Sequence, residues 1–475
     1  MKEVGYVTQS RDYALRLEGF PSARLNDFIT GPSGAMAMIS TIYEDSVVAL
    51  LTSNTQIKPG DEFTLSKRRL YIPSYKNLLG RIVNPLGEQL DNKASIPDRS
   101  VEVVIEKVAD GINTRRPINE QFVTGLTIID TLLPIARGQR QLILGEPRSG
   151  KNVFLQHIMA HQNKRKPTTI CVYAAIGKSE LETRRFISGI ESAGALENTI
   201  FIAALSNEPA PLIALTPAIA FAIADDIRKQ GNHVLVILDD IGKHARYLRE
   251  MTLLTNRPPG RELYPGDIFY QHAHLYERGG NFDDASITVL AVFETTRENF
   301  TSFIATNSMG STDGHLLFSS SLRSEGHYPA IMVDHSVTRL GRQTQTALLQ
   351  ELAGRLSLLL SEYRQLATYT RFASEIQKEA LNKGKIVNEY LKQQEEDDTE
   401  LSVETILLTL PLTSFFDTKD VEFARKNREA LRSVIAANES FIKLRSQLPN
   451  MSLNQLIQQL GTTQAKETLL NGCKK

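Results

Sequence analysis

The sequence predicts a multidomain chain in which a small β-barrel precedes a parallel α/β sheet and a helical domain ends the molecule. Three observations predict it. Short alternating apolar runs broken by turn residues fill residues 1–69. Longer apolar runs separated by helix-like stretches fill 70–345. From 346 on, leucines recur at helical spacing.

The first domain, 1–69, reads as all-β. Tyr13-Ala14-Leu15-Arg16-Leu17 and Ser46-Val47-Val48-Ala49-Leu50-Leu51 are typical runs, with turn signals at Gly31-Pro32-Ser33-Gly34 and Lys58-Pro59-Gly60-Asp61. Strands this short and regular suit a barrel. In the second domain, 70–345, strands are expected at 141–144, 170–174, 199–204, 234–238 and 287–292. Sheets of this kind bind ligands at the carboxyl ends of their strands. The third domain, 346–475, carries Leu348, Leu352, Leu356, Leu359, Leu360 and Tyr363 on a helical period. The acidic run from Gln393 to Asp398 reads as a solvated break between helices.

Composition narrows the classes. The 475 residues carry 54 basic and 54 acidic side chains, so no global charge draws the chain to nucleic acid or an anionic surface. No apolar run approaches ~18 residues, so no membrane-spanning helix is expected. The start, Met1-Lys2-Glu3-Val4-Gly5-Tyr6, has neither signal-peptide nor transit-peptide character. Two cysteines cannot make a disulfide framework, and Cys171, inside Ile170-Cys171-Val172-Tyr173, reads as plain core. The nine histidines show no metal-ligand spacing, and no zinc site is inferred.

The chemistry concentrates in one loop. Gly145, Glu146, Pro147, Arg148, Ser149, Gly150, Lys151 and Asn152 follow the strand Gln141-Leu142-Ile143-Leu144 and read G-x-x-x-x-G-K-N. Gly145 and Gly150 permit the turn that aims backbone N–H groups at phosphate. The helix expected from about Lys151 to His161 points its positive end at the same place. Lys151 would reach the terminal phosphates of a nucleoside triphosphate. A Ser or Thr hydroxyl is expected at 152 to hold Mg²⁺, and Asn puts its oxygen one bond further out. Either metal binding is weakened or water-mediated, or the backbone adjusts to rescue it. Further on, His233–Asp240 is an apolar run ending in two acids. Its first, Asp239, stands where such folds hold a magnesium-bound water.

Longer motifs then carry a resemblance. They are Arg115-Arg116-Pro117-Ile118-Asn119-Glu120, Thr124-Gly125 with Asp130, Pro134–Arg140, Pro209-Ala210-Pro211-Leu212 and Arg257–Asp267. With the phosphate loop they resemble the alpha subunits of F-type ATP synthases, from about residue 4 into the C-terminal helices. The resemblance implies a barrel crown, a P-loop (RecA-like) nucleotide domain and a helical domain. It implies ATP or ADP and Mg²⁺ as ligands. It also implies beta-type catalytic partners in an alternating ring of three alpha and three beta subunits, a gamma-type central stalk, and a peripheral position on the cytoplasmic face of the membrane.

Within that resemblance, the chain reads as a non-catalytic, regulatory and structural subunit. Catalytic members carry a Glu after the strand that follows the phosphate loop, where it polarises the attacking water. Here Ala174-Ala175-Ile176-Gly177 leads into Lys178, which cannot take that proton unless its pKa falls far. Ser336-Val337-Thr338-Arg339 resembles the motif that sends an arginine finger into the neighbouring beta site, so Arg339 is the candidate catalytic group in trans. Gly326-His327-Tyr328-Pro329 resembles beta subunits and secretion ATPases, in which the tyrosine stacks on adenine. Gln393 matches an adenine-contacting glutamine, and Glu395 replaces a second.

The chain begins about where the barrel does, so the extension that meets the peripheral stalk is expected to be missing. The alternative reading is a self-sufficient homohexameric ATPase of the secretion or flagellar type, against which Lys178 argues. A nucleic-acid translocase is a third, which neutral charge and the lack of a basic, aromatic segment disfavour.

Overall fold

The computed structural model describes residues 3–67, 69–96, 99–165, 168–296, 300–367, 375–395, 397–398 and 400–473. The chain divides into two compact units that do not follow it linearly. The first takes Met1–Pro117, Arg137–Pro147 and Gln162–His315, and the second Ile118–Ala136, Arg148–His161 and Leu316–Lys475.

In the first unit, six antiparallel strands close a barrel: β1 (Glu3–Arg11), β2 (Ala14–Glu18), β3 (Phe28–Thr30), β4 (Met36–Ile42), β5 (Val47–Leu51) and β6 (Glu62–Lys67). They run in the order β1-β2-β5-β4-β3-β6, and β6 returns to β1 with Tyr6 opposite Glu62. Closure removes the unpaired edge that an open sheet would expose. Alternation decides which side chains go in: Leu15, Leu17, Ala37, Ile39, Ala49, Leu51 and Phe63 fill the interior.

After the short ribbon β7 (Leu70–Ile72) come β8 (Ile82–Val83) and β9 (Val101–Val103), the latter paired with β7. The larger sheet in this unit adds β10 (Arg140–Gly145), β11 (Ile170–Lys178), β12 (Thr199–Leu205), β13 (Val234–Asp239) and, after β14 (Gly280–Asn281), β15 (Ser286–Glu294). Strands run parallel in the order β10-β15-β13-β11-β12-β8, and β14 joins antiparallel on β15. β11 is buried along all nine residues and β13 along all six. Burial on both faces is why these strands read as unbroken apolar runs. Cys171 lies in this core, 2% exposed.

The helix Ala210–Lys229 corrects one sequence expectation. By length and composition it could cross a membrane, whereas no run that long was anticipated. Here it is a core helix, buried along nearly its whole length. Its C-terminal turns carry charge that is paired at once: Asp225 with Lys107 and Arg278, and Arg228 with Asp110.

The second unit is mainly helical. Thr127–Leu132 packs against Ala347–Ala367 and Leu401–Thr409. Glu375–Tyr390, Val421–Ala437, Glu439–Gln447, Leu453–Leu460 and Thr463–Cys473 complete it. Leu348, Leu352, Leu356 and Leu360 form the buried stripe of the first long helix, while Leu359 and Tyr363 of the sequence pattern are only partly buried. The break at Gln393–Asp398 falls between helices as read, although Glu396 lies outside the described residues.

Candidate functional site

β10 ends at Gly145, level with Glu294 of β15, and its carbonyl accepts the Thr295 N–H at 3.0 Å. Beyond it the loop adopts left-handed backbone at Arg148 (φ 63°) and Gly150 (φ 94°). The second costs glycine little, but the first is a strained choice for arginine. The helix Lys151–Lys164 follows, running past the expected end at His161, and Phe154 donates its N–H to the Gly150 carbonyl at 3.0 Å. This is the strand–loop–helix context that phosphate binding needs. Ser149 and Lys151 are buried, with Lys151 Nζ 3.4 Å from Ser149 Oγ. Pro147, Arg148 and Asn152 are exposed, and Glu146 is partly so.

On the same sheet edge, β11 and β13 bring together two residues far apart in sequence. Ala175 pairs with Asp239 in register, so the last residues of β11 overhang the end of β13. Lys178 Nζ lies 2.5 Å from Asp239 Oδ2, and both residues are buried. The Tyr173 hydroxyl donates to that same oxygen at 2.5 Å. Gly177 makes the approach possible: its φ is +59°, and an added Cβ would lie 2.3 Å from the Tyr247 ring. Ser179 then opens the helix Glu180–Ser192 with a capping box to Glu182, which fixes the backbone on the far side of Lys178.

Burial works against the Lys178 charge, but the Asp239 carboxylate beside it outweighs that penalty and holds the ammonium above its ordinary pKa. The group is therefore protonated at neutral pH and cannot serve as a general base. Burial, reinforced by Asp239, pushes the neighbouring Asp240 carboxyl up to about 6. Asp240 accepts the N–H groups of Lys243 at 2.8 Å and Glu294 at 2.7 Å, so it caps the helix Ile241–Leu254.

These contacts bear on magnesium. Asp239, which the sequence assigns to a magnesium-bound water, already holds an ammonium and a phenol on its Oδ2. Residue 152 presents an amide in place of a hydroxyl. The donor set does not fit the octahedral oxygen shell of Mg²⁺.

In the second unit, Tyr328 and Gln393 come together, since Gln393 donates its backbone N–H to the Tyr328 carbonyl at 2.9 Å. Gln393, the candidate adenine contact, has its amide bonded to backbone. Oε1 accepts from Thr127 N–H at 2.7 Å and Nε2 donates to the Gly125 carbonyl at 3.1 Å. Tyr328 is 3% exposed, and its buried hydroxyl has no hydrogen-bond partner among the described residues. Sequence reasoning missed Arg323. Its guanidinium lies 5.7 Å from the Tyr328 ring centre, it pairs with Glu395, and its Cδ would sit 3.6 Å from a Cβ added to Gly150. No motif marks it; only folding sets it against the phosphate loop.

Arg339 is exposed, on a turn whose two flanks are pinned. Ser336 Oγ accepts the Leu317 N–H at 3.0 Å and donates to the Met332 carbonyl at 2.8 Å. Thr338 Oγ1 donates to the Pro134 carbonyl at 2.6 Å. Gly341 sits so close to Pro134 that a Cβ would come within 1.6 Å of its carbonyl oxygen, so only glycine fits.

Comparison with known proteins gives the family. Residues 125–338 match the ATP synthase alpha/beta family, nucleotide-binding domain, and residues 345–462 match the ATP synthase alpha/beta chain, C terminal domain. The ATP synthase subunit alpha of Dehalococcoides mccartyi strain BAV1 is 34% identical over 447 residues, covering 92% of this chain and 88% of that one. Those of Syntrophomonas wolfei and Caldanaerobacter subterraneus are 36% identical (83% and 79% covered) and 37% identical (82% and 78% covered). The chain belongs to the ATP synthase alpha/beta family, as a divergent member of the alpha type.

Proposed function

We propose that this chain is a non-catalytic, regulatory and structural subunit of a membrane-associated rotary ATP synthase or ATPase, one that binds ATP or ADP without turning it over. The observation that carries the reading is the Lys178–Asp239 pair: a protonated amine stands at the end of β11, where hydrolysis needs a proton acceptor. The loop from Gly145 to Asn152 holds the phosphates. Tyr328 and Gln393 form the wall of the base site, Gln393 by fastening the 125–127 segment rather than by bonding the base. Mg²⁺ has no fitting donor set, so no step runs through it. Residues 1–69, 70–345 and 346–475 act as crown, nucleotide and helical domains.

Arg339 supplies positive charge to the phosphoryl group in the active site of a neighbouring beta-type subunit. Fingers of this kind raise rates by roughly 10³ to 10⁵. The ring alternates with beta-type subunits around a gamma-type stalk at the cytoplasmic face of the membrane, which couples nucleotide chemistry to ion movement. The test is to purify the tagged chain from native membranes, identify what accompanies it and assay ATPase activity. Equimolar beta-type partner, with turnover in the complex alone, is expected. A self-active homohexamer would overturn the reading in favour of a secretion-type ATPase.

A further inference from the structure

We propose that the Lys178 ammonium serves as a built-in counterion at Asp239 in place of a divalent cation, so that this chain takes its adenine nucleotide as the metal-free anion. The inference rests on the nucleotide-binding reading above and adds the form in which the nucleotide is bound.

Three observations carry it. First, register puts the acid on the phosphate edge of the sheet. Val292 of β15 lies between Ile143 of β10 and Asp239 of β13, two residues short of Gly145, where the loop begins. Secondly, the acid is already neutralised. Its Oδ2 holds the Lys178 ammonium and the Tyr173 hydroxyl, each at 2.5 Å, in buried surroundings. A divalent ion or its bound water would have to share the carboxylate with both, and would stand beside a fixed positive charge in a medium that screens poorly. Thirdly, the lysine is held from both sides. Gly177 has the backbone only glycine tolerates against Tyr247, and Ser179 caps the next helix. Asn152 is consistent with this arrangement, since a site without Mg²⁺ needs no hydroxyl there.

The experiment is equilibrium binding of ATP to the full-length chain, in excess MgCl₂ and in excess EDTA. For the wild type we expect the two dissociation constants to agree within about twofold, or EDTA to give the tighter one. K178Q leaves Asp239 buried without its partner, so Mg²⁺ should then tighten ATP binding at least fivefold. K178Q/D239N removes both charges, guards against a fold too damaged to read, and should again be insensitive to Mg²⁺. A wild type tightened tenfold or more by Mg²⁺ would overturn the inference while leaving nucleotide binding intact. So would a K178Q no more responsive than the wild type. Absence of ATP binding in both media would overturn the nucleotide-binding reading itself, and this inference with it.

Discussion

Lys178 and Asp239 form a buried ion pair, Nζ to Oδ2 at 2.5 Å, with the Tyr173 hydroxyl on the same oxygen. One contact thus sets an ammonium at the end of β11 and ties up a carboxylate oxygen at the end of β13. The Tyr173 phenol, raised well above its ordinary pKa by burial and then by Asp239, stays protonated and remains a donor.

Breaking this pair from one side should be costly. Lys178→Met strands a buried carboxylate and is expected to lower stability by about 3–5 kcal/mol. The double variant Lys178→Met/Asp239→Asn should recover most of the loss, because neither charge remains to be desolvated. Denaturant unfolding of the four proteins in the cycle measures both values. Additive losses would mean that the two residues do not act as a pair.

Asn152→Thr restores the missing hydroxyl but leaves Asp239 occupied. Alone, it should change the Mg²⁺ dependence of ATP binding by less than about twofold. Combined with Lys178→Gln, it should increase that dependence beyond the effect of Lys178→Gln alone, since a hydroxyl and a free acid together approach an oxygen shell. Titration calorimetry with and without Mg²⁺ decides between these outcomes.

Arg339→Ala should leave assembly with beta-type subunits intact and lower ATP turnover of the complex by about 10³ or more. Arg339→Lys should rescue little, because an ammonium cannot reproduce the planar fork of a guanidinium. Size-exclusion chromatography checks assembly, and a coupled ATPase assay checks turnover.

A pH-dependent contribution comes from the edge of the sheet. Arg81 grips Asp91 through Nε and Nη2, both at 2.8 Å, and Asp91 also accepts the Ile82 N–H at 3.0 Å. The Arg81 hydrogen bonds, against the pull of burial, hold the Asp91 carboxyl down at about 2, below its ordinary 3.8. A depressed folded value gives stability that is present above the ordinary value and lost as pH falls through the folded one. Asp91→Asn is therefore expected to cost about 1–3 kcal/mol at pH 7. The gap from wild type should narrow below about 4 and close near 2, measured by denaturant unfolding across that range.

Much of this was legible in the sequence because single segments carried it. β11 and β13 are buried on both faces, so their apolar runs declared them strands, and the loop from Gly145 to Asn152 declared itself by spacing. Lys178 could be read as the wrong residue for a base. Its pairing with Asp239 could not, because it depends on two parallel strands lying side by side and on Gly177 turning the chain towards Tyr247. Arg323 was invisible for the same reason: its place against Tyr328 and Gly150 is a product of tertiary packing. Gln393 shows the reverse. Its position in sequence suggested a base contact, while its amide closes backbone bonds to Gly125 and Thr127 that no linear pattern encodes. The helix Ala210–Lys229 escaped because Asp225 and Arg228 interrupt its apolar run, and both are paired inside the fold.

Whether the chain turns over its own nucleotide is decided by a single-turnover experiment on the purified full-length protein with ATP labelled at the γ-phosphate, following bound ATP and released phosphate together. Nucleotide that stays bound and intact over many minutes, with no catalytic phosphate release, is the expected result. Steady phosphate release by the chain alone would contradict the account and would mean that Lys178 does not silence the site.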